Sequence, residues 1–348
     1  HELVAECLQS EQAFCTAACP FNLDIRDFVG KIQQGRFNIA YKTYQHVVGF
    51  PGIVSALCPE PCKLVCPLKN KGGSISLKEL EKASIAYARS TDPDHYNVPL
   101  KDKRIAIVGA GISGLGCALR LTARKYRVVI FEKSGRIGGH LYNILSPEIF
   151  LTDIDLQFKH EKFDLRLDTE INNLDDLDFD AVYIATGKDG ATFGLNGGKE
   201  FPFSTGRPGI FIGGSVTGAD TMAAINHGLN VSNAIETWLK IGSMNQPVNK
   251  VTTRLPYEAV EVVSSDVIIP ANGALYSKDE ALDESKRCLK CACDACNRYS
   301  PLMNYFRKFP KRITEEVQVS LTPSSLDGAA KIATRYISAC THCGLCKE

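Results

Sequence analysis

The chain has 348 residues, enough for two or three domains with a core of their own. Forty Lys and Arg against 39 Asp and Glu give a formal net charge of +1, which excludes the basic footprint of a nucleic-acid binder and a funnel for acidic substrates. Fourteen cysteines, with no secretory leader and no apolar run near about eighteen residues, predict a chain without membrane insertion in a reducing, cytoplasmic compartment, its thiolates committed to metal.

Residues 1–98 read as a small helical domain held by metal. Cys7, Cys15 and Cys19-Pro20 form one thiol group, and Cys58, Cys62 and Cys66-Pro67 a second. Between and after them, helical periodicity runs over residues 24–33, 37–46 and 77–87. Soft thiolates at these separations suit iron-sulfur cubanes, and the prolines keep the backbone out of helix so that N–H groups can face sulfur. Zinc is the competing ion.

Residues 99–243 alternate between strand and helix patterns, which predicts a doubly wound α/β domain. Arg104-Ile-Ala-Ile-Val is a short apolar strand entering Gly109-x-Gly111-x-x-Gly114, with Ile112 and Ser113 opening an apolar helix to about Arg124. Such glycines permit a tight turn, close approach to a pyrophosphate and close helix packing, and the helix N-terminus supplies oriented N–H groups. Val128-Val-Ile-Phe is a second strand ending at Glu132-Lys133, whose carboxylate suits ribose hydroxyls. Further strands are expected at 163–167, 181–185 and 210–212, and a long helix at about 220–240. Cys117 and Trp238 read as packing residues, and His140 as a loop histidine.

Three later segments favour FAD over NAD: Gly138-Gly139-His-Leu141, Ala185-Thr186-Gly187, and residues 209–215 ending in Gly214-Ser215. Their order, with the N-terminal cysteines, resembles the small subunit of bacterial glutamate synthase and its relatives, including the flavin domains of dihydropyrimidine dehydrogenase and bifurcating transhydrogenases. The resemblance implies that the Gly-Gly pair and the Ala-Thr-Gly strand end line the flavin, and that Gly214-Ser215 meets the ribityl chain, with Ser215 standing where the family has aspartate. It also implies that Cys19, Cys58, Cys62 and Glu81 hold one [4Fe-4S] cluster. Cys7, Cys15 and Cys66 would hold another, with Ser10 where the family has a fourth cysteine, so that this site is oxygen-ligated, three-iron or empty. The family inserts a nicotinamide-binding unit between the Ala-Thr-Gly and Gly-Gly-Asp segments. Here only twenty-one residues separate Gly187 from Gly209, too few for a dinucleotide domain whose single βαβ unit needs about 30.

Residues 244–284 read as a linker and 285–348 as a C-terminal iron-sulfur domain. Cys288, Cys291, Cys293 and Cys296 fall within nine residues, and Cys340, Cys343 and Cys346 have C-x2-C-x2-C spacing. The second set matches most of a bacterial ferredoxin run whose fourth cysteine is expected just beyond Glu348, and His342 is a poorer ligand than its neighbours. A zinc ribbon is the alternative. The pair of motifs resembles the dicluster ferredoxin-like module of heterodisulfide-reductase-type electron carriers, implying one or two C-terminal clusters.

The expected function is that of an FAD and iron-sulfur electron-transfer subunit of an oxidoreductase complex, anaerobic by the resemblance. Its partners are expected to be ferredoxin or other iron-sulfur and catalytic subunits. A second reading is an NAD(P)H-dependent oxidoreductase whose nicotinamide site comes from another chain or an omitted segment, and a third is an assembly subunit with inert cofactors.

Overall fold

The computed structural model describes residues 7–308 apart from 249 and 274, together with 312, 315 and 316. Cys340, Cys343 and Cys346 lie outside the described residues. The N-terminal part is helical: α1 Phe14–Ala18, α2 Ile25–Gln33, α3 Phe37–Val48, α4 Pro51–Leu57, α5 Pro61–Leu64 and α6 Leu77–Tyr87. Asp24 caps α2 by accepting the Asp27 N–H at 3.1 Å, satisfying a donor that the helix leaves open. One face of α2 buries Ile25, Phe28, Val29 and Ile32, the 3–4 spacing of an amphipathic helix. Two helices begin where proline fixes the first turn, α4 at Pro51 and α5 at Pro61.

A five-stranded parallel sheet follows, in the order β3-β2-β1-β4-β5, from Arg104–Val108 (β1), Arg127–Phe131 (β2), Asp164–Arg166 (β3), Ala181–Ile184 (β4) and Ile210–Ile212 (β5). Side chains alternate across it as the pleat dictates. Ile105 and Ile107 face the larger core with helices α7 Ile112–Ala123, α8 Pro147–Gln157 and α9 Thr221–Ile241. Ala106 and Val108 face a smaller core closed by Leu174, Phe179, Phe193 and other loop side chains. Trp238 on α9 donates its indole N–H to the Asp180 carbonyl at 3.0 Å, and Cys117 is buried in the larger core. No helix among the described residues is long and apolar enough to cross a membrane.

The larger core is continuous from Phe28, Tyr44 and Phe50 of the N-terminal helices to Leu115, Phe150 and Ile225 beside the sheet. Asp153 on α8 fastens the two: its carboxylate accepts the Ile53 N–H at 2.8 Å, in the first turn of α4, and the Gln157 amide at 3.1 Å. Burial pushes the Asp153 carboxyl up to about 6, with the hydrogen bonds opposing it. A carboxyl raised on folding stabilises fully below its unfolded value near 3.8, and that stability is lost as pH rises through about 6. Asp153→Asn, which keeps an acceptor without the charge, is therefore expected to remove a loss of about 3 kcal/mol between pH 4 and 7. Urea midpoints of both chains across that range check it; parallel pH profiles would refute it.

The stretch read as a linker runs into helix α10 Lys278–Lys286, which crosses the expected boundary at 284, is opened by a reciprocal Ser277–Glu280 capping box and runs back along the N-terminal helices. Phe14 stacks on Tyr257 at 4.2 Å, Thr253 donates to the Gln12 carbonyl at 2.6 Å, and Tyr87 donates to the Tyr276 carbonyl at 2.8 Å. Two short helices, α11 Ala295–Tyr299 and α12 Pro301–Phe306, follow.

Candidate functional site

The turns between the N-terminal helices bring Cys19, Cys58 and Cys62 around the Glu81 carboxyl. Cys19 lies at the end of α1, Cys58 at the end of α4 and Cys62 in α5, and Glu81 reaches in from α6. Glu60 adopts a left-handed backbone, φ 54°, which turns its N–H onto the Cys58 sulfur at 3.4 Å. Backbone N–H groups of Leu23, Phe21 and Asn22 face Cys19 in the same way. Burial raises all three thiols, Cys58 to about 11, and the Glu81 charge adds to it in each. Burial likewise pushes Glu81 up to about 8, although the Tyr44 hydroxyl donates to its Oε2 at 3.1 Å. A buried carboxyl among buried thiols is costly to ionise unless a cation neutralises the set, and metal binding releases such protons.

A second thiol set lines the adjoining cavity. Cys15, Cys66, Cys288 and Cys291 share it with Cys62, walled by apolar Phe14, Ile25, Leu68 and Leu77 and by Arg26 and Lys290. Burial raises Cys15 and Cys288 and pushes Cys291 up to about 12, and the charges of the other members add to this. Among the described residues, no three His, Cys, Asp or Glu side chains converge closely enough to hold a single metal ion. The thiols instead surround a space, an arrangement that suits a polynuclear cluster, whose ligands bind separate irons. Cys7 caps and Ser10 ends a single 3-10 turn at Leu8–Ser10, and neither lines this cavity; Ser10 is exposed. Cys293 packs beside Phe14 and Val260, and Cys296 lies in α11.

The dinucleotide-type site forms at the C-terminal edge of the sheet. Gly109, φ 112°, turns the chain out of β1 where a Cβ would lie 2.4 Å from the Ala185 carbonyl oxygen. Glu132, at the end of β2, accepts the Ala110 N–H at 2.7 Å and the Ser134 N–H at 2.9 Å, so its carboxylate is fixed beside the glycine turn. Glu132, Lys133, Thr169, Thr186 and Gly190 line the cleft there. Gly138 pairs with Gly111 across the turn, donating its N–H to Ala110 at 2.9 Å, and Gly139 starts a 3-10 turn that buries Leu141. Ala185 and Gly187 continue from β4, while Gly214 and Ser215 follow β5. Ser113 opens α7, but its hydroxyl is bonded to the Tyr183 hydroxyl at 2.8 Å within the core.

Several supporting groups carry no sequence motif. His227 on α9 accepts the Gly214 N–H at 3.2 Å, and burial holds its imidazole below the ordinary range, so it supports the turn as a neutral acceptor. Tyr44 beside Glu81, and Arg26 and Lys290 in the cavity lining, likewise belong to no sequence motif. His140 is exposed, and its ring meets the Asn143 amide at 3.2 Å. Between β4 and β5, residues 188–208 contain no helix or strand; the segment buries Phe203 and bonds to β5 through the Ile212 N–H at 3.0 Å.

Residues 2–92 match the family model described as dihydropyrimidine dehydrogenase domain II, 4Fe-4S cluster, and residues 107–161 match an NAD(P)-binding Rossmann-like domain. The putative oxidoreductase UacF of Escherichia coli K12 is 31% identical over 53% of this chain and 30% of its own length. The NADPH-Fe(3+) oxidoreductase subunit beta of Geobacter sulfurreducens is 28% identical over 59% of this chain and 36% of its own. The glutamate synthase [NADPH] small chain of Bacillus subtilis 168 is 27% identical over 63% of this chain and 54% of its own. The chain thus spans about a third to a half of the length of these relatives. With helical iron-sulfur and Rossmann-like parts in the same order as the matched models, the chain is an oxidoreductase of iron-sulfur and flavin type, homologous to the glutamate synthase small chain and to the beta subunit of NADPH-Fe(3+) oxidoreductase.

Proposed function

We propose that the chain is an electron-transfer subunit that relays electrons between [4Fe-4S] clusters, FAD and a partner catalytic subunit. The observation that carries this reading is the connection from Gly187 to Gly209: twenty-one residues close it beside β5, and a second dinucleotide domain does not fit there. FAD exchanges one or two electrons and a cubane one, so a chain with both, and with no room for a nicotinamide domain between Gly187 and Gly209, converts between single and paired electrons. Residues 1–98 form the iron-sulfur part and residues 99–243 the FAD part. Residues 244–284 connect these to an iron-sulfur segment over 285–348.

In this reading Gly109, Gly111, Ile112 and Gly114 receive the pyrophosphate at the N-terminus of α7, and Glu132 with Lys133 faces the adenosine ribose. The turns at Gly138-Gly139-Leu141, Ala185-Thr186-Gly187 and Gly214-Ser215 surround the rest of the flavin. Cys19, Cys58, Cys62 and Glu81 hold one cluster, and Cys293 and Cys296 serve a C-terminal one with Cys340, Cys343 and Cys346. The partner is a ferredoxin or an iron-sulfur or catalytic subunit of a larger complex, and the compartment is cytoplasmic.

Anaerobic titration tests the reading. NADH or NADPH is expected to leave the flavin of the isolated chain oxidised, whereas dithionite or reduced ferredoxin bleaches it. Rapid stoichiometric reduction by either pyridine nucleotide sinks the relay reading. A second reading is favoured by the NADPH in the names of two relatives: nicotinamide is oxidised at a site on another chain. Bleaching by NADPH that requires the partner chain is its signature.

A further inference from the structure

The cavity between the N-terminal helices and the returning C-terminal strap gathers cysteines from two distant stretches of sequence. Cys15 and Cys66 belong to the N-terminal helical part; Cys288 and Cys291 follow the Rossmann-like domain. The residues leading to the second pair are firmly held. Glu284 is fully buried and accepts the Ser76 N–H at 2.9 Å, the Ile268 N–H at 2.9 Å and the Arg287 guanidinium at 2.7 Å. Arg287 also donates to the carbonyls of Gly73 at 2.6 Å and Ser265 at 2.7 Å. Gln33 of α2 donates to the Ser285 carbonyl at 2.6 Å, and Arg26 of the same helix to the Cys291 carbonyl at 3.3 Å. A buried ion pair with every neighbour hydrogen-bonded fixes one backbone path, because any other leaves charge unpaired in the core.

Cys288-x2-Cys291 has the same separation as Cys7-x2-Ser10, the N-terminal pair in which a hydroxyl replaces a thiol. Serine oxygen is harder and far less acidic than thiolate, a poorer iron ligand in a cubane. Exposed Ser10 stands away from the cavity, whereas Cys288 and Cys291 line it. We propose that Cys15, Cys66, Cys288 and Cys291 together hold one [4Fe-4S] cluster, the C-terminal pair taking the place that Cys7 and Ser10 fill in the N-terminal resemblance. This rests on the iron-sulfur reading of the chain and changes its ligand set: Cys288 and Cys291 leave the C-terminal module, and Cys7 holds no iron. The cation-bearing Arg26 and Lys290 beside the cavity suit the negative charge of four thiolates around such a cluster. The cluster then joins the strap after residue 250 to the N-terminal helices.

The test is the additivity of iron loss in the full chain purified anaerobically, with bound flavin as the measure of folding. Cys15→Ala/Cys66→Ala and Cys288→Ala/Cys291→Ala are each expected to lose about four irons, the content of one cubane. The fourfold variant is expected to lose the same four and no more. Cys7→Ala is expected to keep wild-type iron and an unchanged EPR spectrum. Iron losses that add across the two pairs, or a Cys7→Ala chain lacking one cluster while Cys288→Ala/Cys291→Ala keeps it, overturn the ligand set and leave the iron-sulfur reading standing. A wild-type chain with stoichiometric zinc and negligible acid-labile sulfide overturns both.

Discussion

Gly114→Val is expected to yield a chain without bound flavin. A Cβ at Gly114 would lie 2.0 Å from the Gly109 carbonyl oxygen and 3.1 Å from the Ile107 side chain, so α7 has to move away from β1. It has no room on its other side, where a Cβ at Gly228 of α9 would already lie 2.1 Å from the Ser113 carbonyl oxygen. Overpacking of this kind costs about 1–3 kcal/mol, and the displacement falls on the turn that aims the first N–H groups of α7 at a pyrophosphate. Gly111→Ala separates folding from binding, because its Cβ meets no protein atom within 4 Å. That variant is expected to fold as the wild type and still bind flavin more weakly, the methyl occupying space a phosphate needs. Flavin absorbance per chain, alongside circular dichroism, reads both. A Gly114→Val chain with full flavin content would place the dinucleotide elsewhere.

The second large effect is expected at Glu81. Glu81→Leu should lose the cluster held with Cys19, Cys58 and Cys62, a fall of about four irons per chain, while flavin content is kept. The carboxyl is buried among these thiols and touched by the Tyr44 hydroxyl, so with Glu81 as the proposed fourth ligand a leucine there leaves one iron without a ligand. Glu81→Cys supplies a thiolate in place of the carboxylate and is expected to keep the iron. Tyr44→Phe removes the hydrogen bond that orients the carboxylate without removing a ligand, and is expected to shift the cluster's potential with iron content unchanged. Equal iron and an identical EPR spectrum in Glu81→Leu would show that its carboxyl is a packed core group.

Much of the framework was legible in local pattern. The glycine turn between apolar residues 105–108 and the helix from Ile112 is set by neighbours in sequence, and the same holds for α2, α3 and α6, whose apolar spacing is helical. The helices α4, only seven residues long, and α8, whose apolar spacing is weakly helical, leave little periodic signal despite their proline starts, and their burial against one another through Asp153 and Ile53 is a tertiary contact. The residues around Lys278–Lys286 are polar and punctuated, so they read as a tether; what makes them a packed strap is the buried Glu284–Arg287 pair and the stacking of Tyr257 on Phe14.

The sequence by itself determined the chemistry: which residues are thiols, how closely they follow one another, and that a dinucleotide turn lies between the two sets. Spacing along a chain fixes ligands only when one short loop supplies them all. The grouping of Cys15 and Cys66 with Cys288 and Cys291, and the exclusion of Cys7 from that cavity, were decided by tertiary structure alone. The physical reason is that more than two hundred residues separate the pairs, and their meeting depends on hydrogen bonds from Gln33, Ser76 and Arg26 to the returning strap, none of which leaves a periodic trace in the sequence.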